Sequence, residues 1–134
     1  MQRQFELLPE DVEHLDGVSL QWETVNDNGS RWLLLHGFPI PEGYIQSTST
    51  AALLIPPTYP ESQIDMVYFK PAIQRQDGQT IPQTQATATV CGQPYQRWSR
   101  HRTPENPWEP GVDNIERHLY LVQHWLRREF KGKS

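Results

Sequence analysis

Eight consecutive residues, Tyr95-Gln96-Arg97-Trp98-Ser99-Arg100-His101-Arg102, carry two aromatic rings, three guanidinium groups, a hydroxyl and an imidazole. Arginine favours water or a charged partner and tryptophan favours burial, so the run is expected to lie half in and half out of the protein. Ser99 and His101 are two residues apart, and on an extended backbone their side chains point the same way. A hydroxyl needs such a base beside it to become a nucleophile. Cys91, the single cysteine, precedes His101 by ten residues. As a nucleophile it needs a lowered pKa, for which His101, Arg97 and Arg100 offer positive charge. Arg97, Arg100 and Arg102 also suit a clamp on a carboxylate or an extended peptide. Each feature has a plainer counterpart: Cys91 as an apolar filler, Ser99 bonded to local backbone, the arginines as a solvated basic loop.

The elements that must position this run follow from periodicity. Leu8 to Leu15 reads as a short helix, with Pro9 in the first turn, Leu8, Val12 and Leu15 on one face, and Gly17 as its stop. Val18 to Val25 alternates, with Val18, Leu20 and Trp22 on one side. Asn26-Asp27-Asn28-Gly29 is a turn, and Arg31 to Phe38 returns from it with Trp32, Leu34, His36 and Phe38 facing one way. Leu33 and Leu35 make that strand apolar on both sides, which predicts a central place. Ser49 to Ile55 and Gln63 to Phe69 are the third and fourth strands, and Gln83 to Val90 is a weak further one. The 95–102 run is expected to be irregular. The prolines between Thr103 and Pro110 exclude regular helix there. Asp113 is the expected N-cap of the longest helix, with Glu116 completing a capping box. Ile115, Leu119, Val122, Trp125, Leu126 and Phe130 keep helical spacing, and Arg127, Arg128 and Lys131 suit its C-terminal end. The expected class is α+β: a four-stranded antiparallel meander flanked by a short N-terminal and a long C-terminal helix, in one domain over residues 1–134.

Composition narrows the function. With 36% hydrophobic and 21% charged residues the chain reads as a water-soluble globular domain, and its twelve prolines imply stiff connections. A net charge of −4 argues against a general nucleic-acid binder. A single-strand binder using Tyr95, Trp98 and the arginines for stacking and phosphate contacts is disfavoured on the same ground. No apolar run has signal-peptide or membrane-spanning length, and one cysteine fits a reducing compartment, so the cytoplasm is the expected location. No Gly-rich phosphate loop is present. His118 and His124 are six apart and share no helix face, so no metal site is expected.

Order and spacing resemble the ubiquitin-conjugating-enzyme (UBC) fold. Ile55-Pro56-Pro57-Thr58-Tyr59-Pro60 is similar to that fold's Tyr-Pro turn before its last strand. Trp108-Glu109-Pro110 is similar to its Trp-Ser-Pro at the entry to the helix after the active site. The Tyr95–His101 run followed by Trp108 resembles, more specifically, a bacterial conjugating-enzyme-like family found beside ubiquitin-like proteins and activating enzymes. The resemblance covers roughly residues 8–130. It implies acyl transfer: the chain would accept the C-terminal acyl group of a ubiquitin-like modifier protein from a ThiF-like activating enzyme and pass it to an amine. No metal or organic cofactor is implied, ATP being used by the activating enzyme, and no membrane or nucleic-acid partner.

Two departures bear on the site. Where conjugating enzymes carry His-Pro-Asn, this chain reads Phe69-Lys70-Pro71-Ala72, so oxyanion support must come from an arginine or from backbone N–H groups. The family's cysteine lies about eight residues before its Trp-x-Pro, a position that falls on Arg100, between Ser99 and His101. The register therefore favours Ser99 as nucleophile with His101 as base, carrying the modifier as an oxyester, and Cys91 is the rival, carrying a thioester. Arg97, Arg100, Arg102, Trp98 and Trp108 are the expected binding residues. The alternative is a non-catalytic module that holds a ubiquitin-like protein or its activating enzyme.

Overall fold

The turn at Asn28-Gly29 sets the first strand pairing. Both residues take positive φ, 53° and 84°, as a two-residue type I′ hairpin requires. In the computed structural model, which describes residues 1–130, this turn joins β1 (Gln21–Asp27) to β2 (Ser30–Pro39) with Asp27 opposite Ser30. Before β1 runs α1 (Pro9–Gly17), and after β2 come β3 (Thr48–Ile55), β4 (Val67–Lys70), β5 (Thr87–Val90), β6 (Gln93–Trp98) and α2 (Ile115–Arg128). Lys131, expected at the C-terminal end of the last helix, lies outside the described residues.

The four-stranded meander is thus corrected to a six-stranded sheet of order β1-β2-β3-β4-β6-β5. All its strand pairings are antiparallel. The first half of the chemistry-bearing run, expected to be irregular, is strand β6, which lies between β4 and β5. Its alternation is real but disguised: Trp98 packs into the core on one face and Tyr95 into the core on the other. Gln96 and Arg97 between them gave no apolar signal.

Both faces of the sheet are buried. Leu33, Leu35, Ala51, Leu53, Val67, Phe69 and Trp98 pack beneath the two helices. Trp32, Leu34, Ala52, Tyr68 and Tyr95 form a second cluster on the opposite face. The sheet curls over that second cluster. Although β1 and β5 are opposite edges, the Cys91 N–H in the β5–β6 turn donates to Asp27 at the end of β1, at 3.0 Å.

Three boundaries moved for local reasons. Ser19 has φ 59°, so β1 starts at Gln21 and Val18 is exposed. Met66 has φ 59°, which delays β4 to Val67 although Ile64 is already fully buried. The β2–β3 register shifts between Leu35 and Phe38. This bulge moves Phe38 onto the face of Leu33 and Leu35 instead of that of Trp32 and Leu34.

Helix α2 lies on the sheet through Ile115, Leu119, Val122, Trp125 and Leu126, all buried at the spacing the sequence shows. Burying each side chain of this size contributes about 1.5–3 kcal/mol. Its N-cap is Asn114, whose side chain accepts from the Arg117 N–H at 3.0 Å. Asp113 is excluded from that role because its carboxylate turns back to the Glu109 N–H at 2.7 Å. The C-terminal end is tied by the Tyr44 hydroxyl, which donates to the Leu126 carbonyl at 2.6 Å, and by Arg75, which donates to the Glu129 carbonyl at 2.9 Å.

Candidate functional site

Strand β6 ends at Trp98, and the chain bends at the next residue. The Arg100 N–H donates to the Trp98 carbonyl across Ser99 at 3.0 Å, a three-residue turn. The Ser99 N–H donates to the Gln83 carbonyl at 3.0 Å. A cleft of about 450 Å3 opens here. Its walls are Pro82 and Gln83 on one side, Ser99 to His101 on another, and Trp125, Arg128 and Glu129 of the last helix and its end. The structure therefore brings Ser99, Arg100 and His101 to one surface.

Ser99 and His101 are not joined within it. No hydrogen bond links the Ser99 hydroxyl to the His101 ring among the described residues, because the bend at Ser99 removes the extended backbone that would align them. The imidazole is held elsewhere: His101 Nδ1 lies 3.0 Å and 3.1 Å from the two carboxylate oxygens of Asp65. Both side chains are solvent-accessible, 61% and 38%.

The arginines divide. Arg100 spans the cleft wall, donating to the Pro82 carbonyl at 3.0 Å and to Glu129 at 2.9 Å, with its guanidinium 4.9 Å from the Trp98 ring centre. Arg102 is 6% exposed, 3.5 Å from Asp113 and 5.1 Å from the Trp108 ring centre. It lines, with Trp108 and three prolines, a neighbouring cleft of about 480 Å3. Arg97 pairs opposite Tyr68 in the sheet, and its Nε is buried without a partner among the described residues. Trp98 is fully buried, and its indole N–H donates to Gln96 at 3.0 Å, so it supports the cleft from within the core. Trp108 is half-buried: it packs on Tyr59 and donates to the Pro60 carbonyl at 2.9 Å.

Cys91 stands apart from these groups. It is exposed in the β5–β6 turn at φ 52°. Strand β6 separates it from Ser99, about 20 Å at the usual rise for six residues. Partial burial raises its thiol pKa, and the carboxylates of Asp27 and Glu23 raise it further. The cations that were expected to activate it lie at the far end of the strand.

The family model for prokaryotic E2 family E matches residues 7–129. The chain belongs to that family. No curated protein matches it, and no solved structure matches it.

Sequence reasoning missed three residues of this candidate site. Asp65 is distant in sequence from His101 and sat within the expected fourth strand, with no signal of its own. Gln83 contributes its backbone carbonyl, which no side-chain pattern reports. Glu129 was one charge among several at a helix end. The signal that a partner was needed was present in the density of arginines, but nothing in the sequence named the partners.

Proposed function

We propose that this chain acts as a conjugating-type acyltransferase, taking the C-terminal acyl group of a ubiquitin-like protein from an activating enzyme and passing it to an amine. Membership of the prokaryotic E2 family E over residues 7–129 carries the reading. The nucleophile is Ser99, in the cleft it shares with His101. In the acyl-transfer step the Ser99 Oγ forms a bond to the carbonyl carbon, the bond to the leaving group breaks, and the hydroxyl proton passes to His101. The charge of Arg100, which lines the same cleft as Ser99, stabilises the developing oxyanion. The activating enzyme docks on the exposed side of α1, where Glu10 and Glu13 face solvent.

The test is covalent capture. The protein is mixed with its activating enzyme, the ubiquitin-like protein and ATP, and the products are resolved with and without thiol reductant. An oxyester at Ser99 survives the reductant, yields to mild base and disappears in Ser99→Ala. A reductant-cleaved adduct lost in Cys91→Ala moves the nucleophile to Cys91 and keeps the enzyme class.

A second reading is a non-catalytic module that binds the modifier or its activating enzyme. The observation favouring it is the Ser99 hydroxyl, which has no hydrogen-bond partner among the described residues, together with a Cys91 thiol whose pKa is raised. Tight binding with no adduct in the unsubstituted protein would establish it and end the acyltransferase reading.

A further inference from the structure

The contact that fixes His101 comes from outside the 95–102 run. We propose that Asp65 is a positioning residue that sets the tautomer of His101 and thereby makes its Nε2 the base facing the cleft; the proposal rests on the reading of Ser99 and His101 as nucleophile and base.

The geometry is specific at both ends. An ionised carboxylate only accepts hydrogen bonds, so a ring nitrogen 3.0 Å and 3.1 Å from its two oxygens must carry the proton. The neutral ring then has its lone pair on Nε2. Asp65 is held by its neighbours. Ile64 is fully buried in the core on one side. On the other, the Met66 carbonyl accepts a hydrogen bond from the buried His118 Nε2 at 2.9 Å. The backbone that carries the carboxylate is thus fixed on both sides, and the contact of both its oxygens with Nδ1 orients the ring.

Stability does not account for the pair. Exposed ion pairs contribute little to folding, and these side chains are 61% and 38% accessible. What the contact does control is which nitrogen is free. In acyl transfer from a thioester donor, the Ser99 Oγ–carbon bond forms as its proton moves to His101 Nε2. The carbon–sulfur bond then breaks, and the proton passes on to the departing thiolate. Asp65 keeps its charge throughout and balances the transient imidazolium.

Two readouts test this on the intact protein. The tautomer of His101 is read from long-range proton–nitrogen couplings in 15N-labelled protein. The reactivity of Ser99 is read by mass spectrometry as labelling by a fluorophosphonate ester, which serves as the probe. The expected result is an Nδ1–H tautomer that is lost in Asp65→Ala, with Ser99 labelling slowed by a large part of the roughly 10²–10⁴-fold that a general base contributes. Asp65→Glu should restore part of the rate, and Asp65→Ala with His101→Ala should be no slower than His101→Ala alone. Unchanged thermal melting of Asp65→Ala and Asp65→Asn confirms that folding is intact. An Nε2–H tautomer in the unsubstituted protein overturns the proposal. So does fast labelling of Asp65→Ala alongside slow labelling of His101→Ala, which leaves the Ser99–His101 reading standing. An unlabelled Ser99 in the unsubstituted protein overturns that reading and the role of Asp65 with it.

Discussion

Tyr59 and Asp11 meet beneath the first turn of α2: the Tyr59 hydroxyl donates to Asp11 Oδ2 at 2.7 Å. The Ile115 N–H, at the start of α2, points at both, 3.0 Å from the Tyr59 oxygen and 3.3 Å from Asp11 Oδ1. The contact joins three elements, because Asp11 belongs to α1 and Tyr59 to the proline-rich link between β3 and β4. Asp11 is 1% exposed. Burial raises its pKa, while the hydrogen bonds from Tyr59 and Ile115 pull it back.

Removing the donor should therefore cost more than one ordinary hydrogen bond. Tyr59→Phe leaves a buried carboxyl short of a partner, and the expected loss is about 1–3 kcal/mol. Denaturant unfolding measures it. The same variant in an Asp11→Asn background should lose less, since the uncompensated charge is gone. Equal losses in both backgrounds would mean that the Tyr59 hydroxyl acts through the Ile115 N–H and not through Asp11.

His118 predicts how stability depends on pH. It is fully buried, with Nε2 donating to Met66 and Nδ1 without a partner among the described residues. Burial lowers its pKa from 6.5 to about 4. The unfolded chain thus binds a proton at a pH where the fold does not. Stability is fully present above 6.5 and is lost as pH falls through 6.5 toward about 4, by on the order of 3 kcal/mol. His118→Gln keeps a donor for Met66 but cannot titrate, so its unfolding free energy should vary less over that window. A pH profile parallel to that of the unsubstituted protein would place the acid sensitivity in other groups.

These two contacts also show where reading the sequence stopped. Both helices and the hairpin at Asn28-Gly29 were legible because each depends on local spacing or on one turn. Strand β6 was not, since its inward residues Tyr95 and Trp98 are separated by Gln96 and Arg97, whose long polar stems conceal the period of two. The α2 N-cap was misplaced by one residue because Asp113 and Asn114 are both good caps, and only the fold decides that Glu109 and Arg102 claim Asp113. In the candidate site, Ser99, Arg100 and His101 were legible as a cluster. Asp65 was not, because its pairing with His101 is created by the meeting of two distant segments. The expected alignment of Ser99 with His101 failed for a backbone reason, the bend between Trp98 and Arg100.

Arg100 carries the last prediction, which separates a ligand clamp from a structural tie. Its guanidinium donates to the Pro82 carbonyl at 3.0 Å, to the Ser99 carbonyl at 3.2 Å and to Glu129 at 2.9 Å. Side-chain exposure is 17% for Arg100 and 13% for Glu129, so the pair is partly desolvated. One planar fork thus fastens the 82–83 segment, the bend at Ser99 and the end of α2. A lysine ammonium keeps the charge but lacks the fork that spans these acceptors. Arg100→Lys is expected to lower stability by about 1–3 kcal/mol, as loss of a buried charged contact does. Its coupling to Glu129→Gln in a double-mutant cycle should fall in the range of about 0.5–3 kcal/mol. Hydrogen exchange gives the local check: the Ser99 amide, which is bonded to Gln83, should exchange faster in Arg100→Lys. If stability and exchange are unchanged while binding of a modifier or activating enzyme weakens, Arg100 is a clamp for the partner and the cleft is held by other contacts.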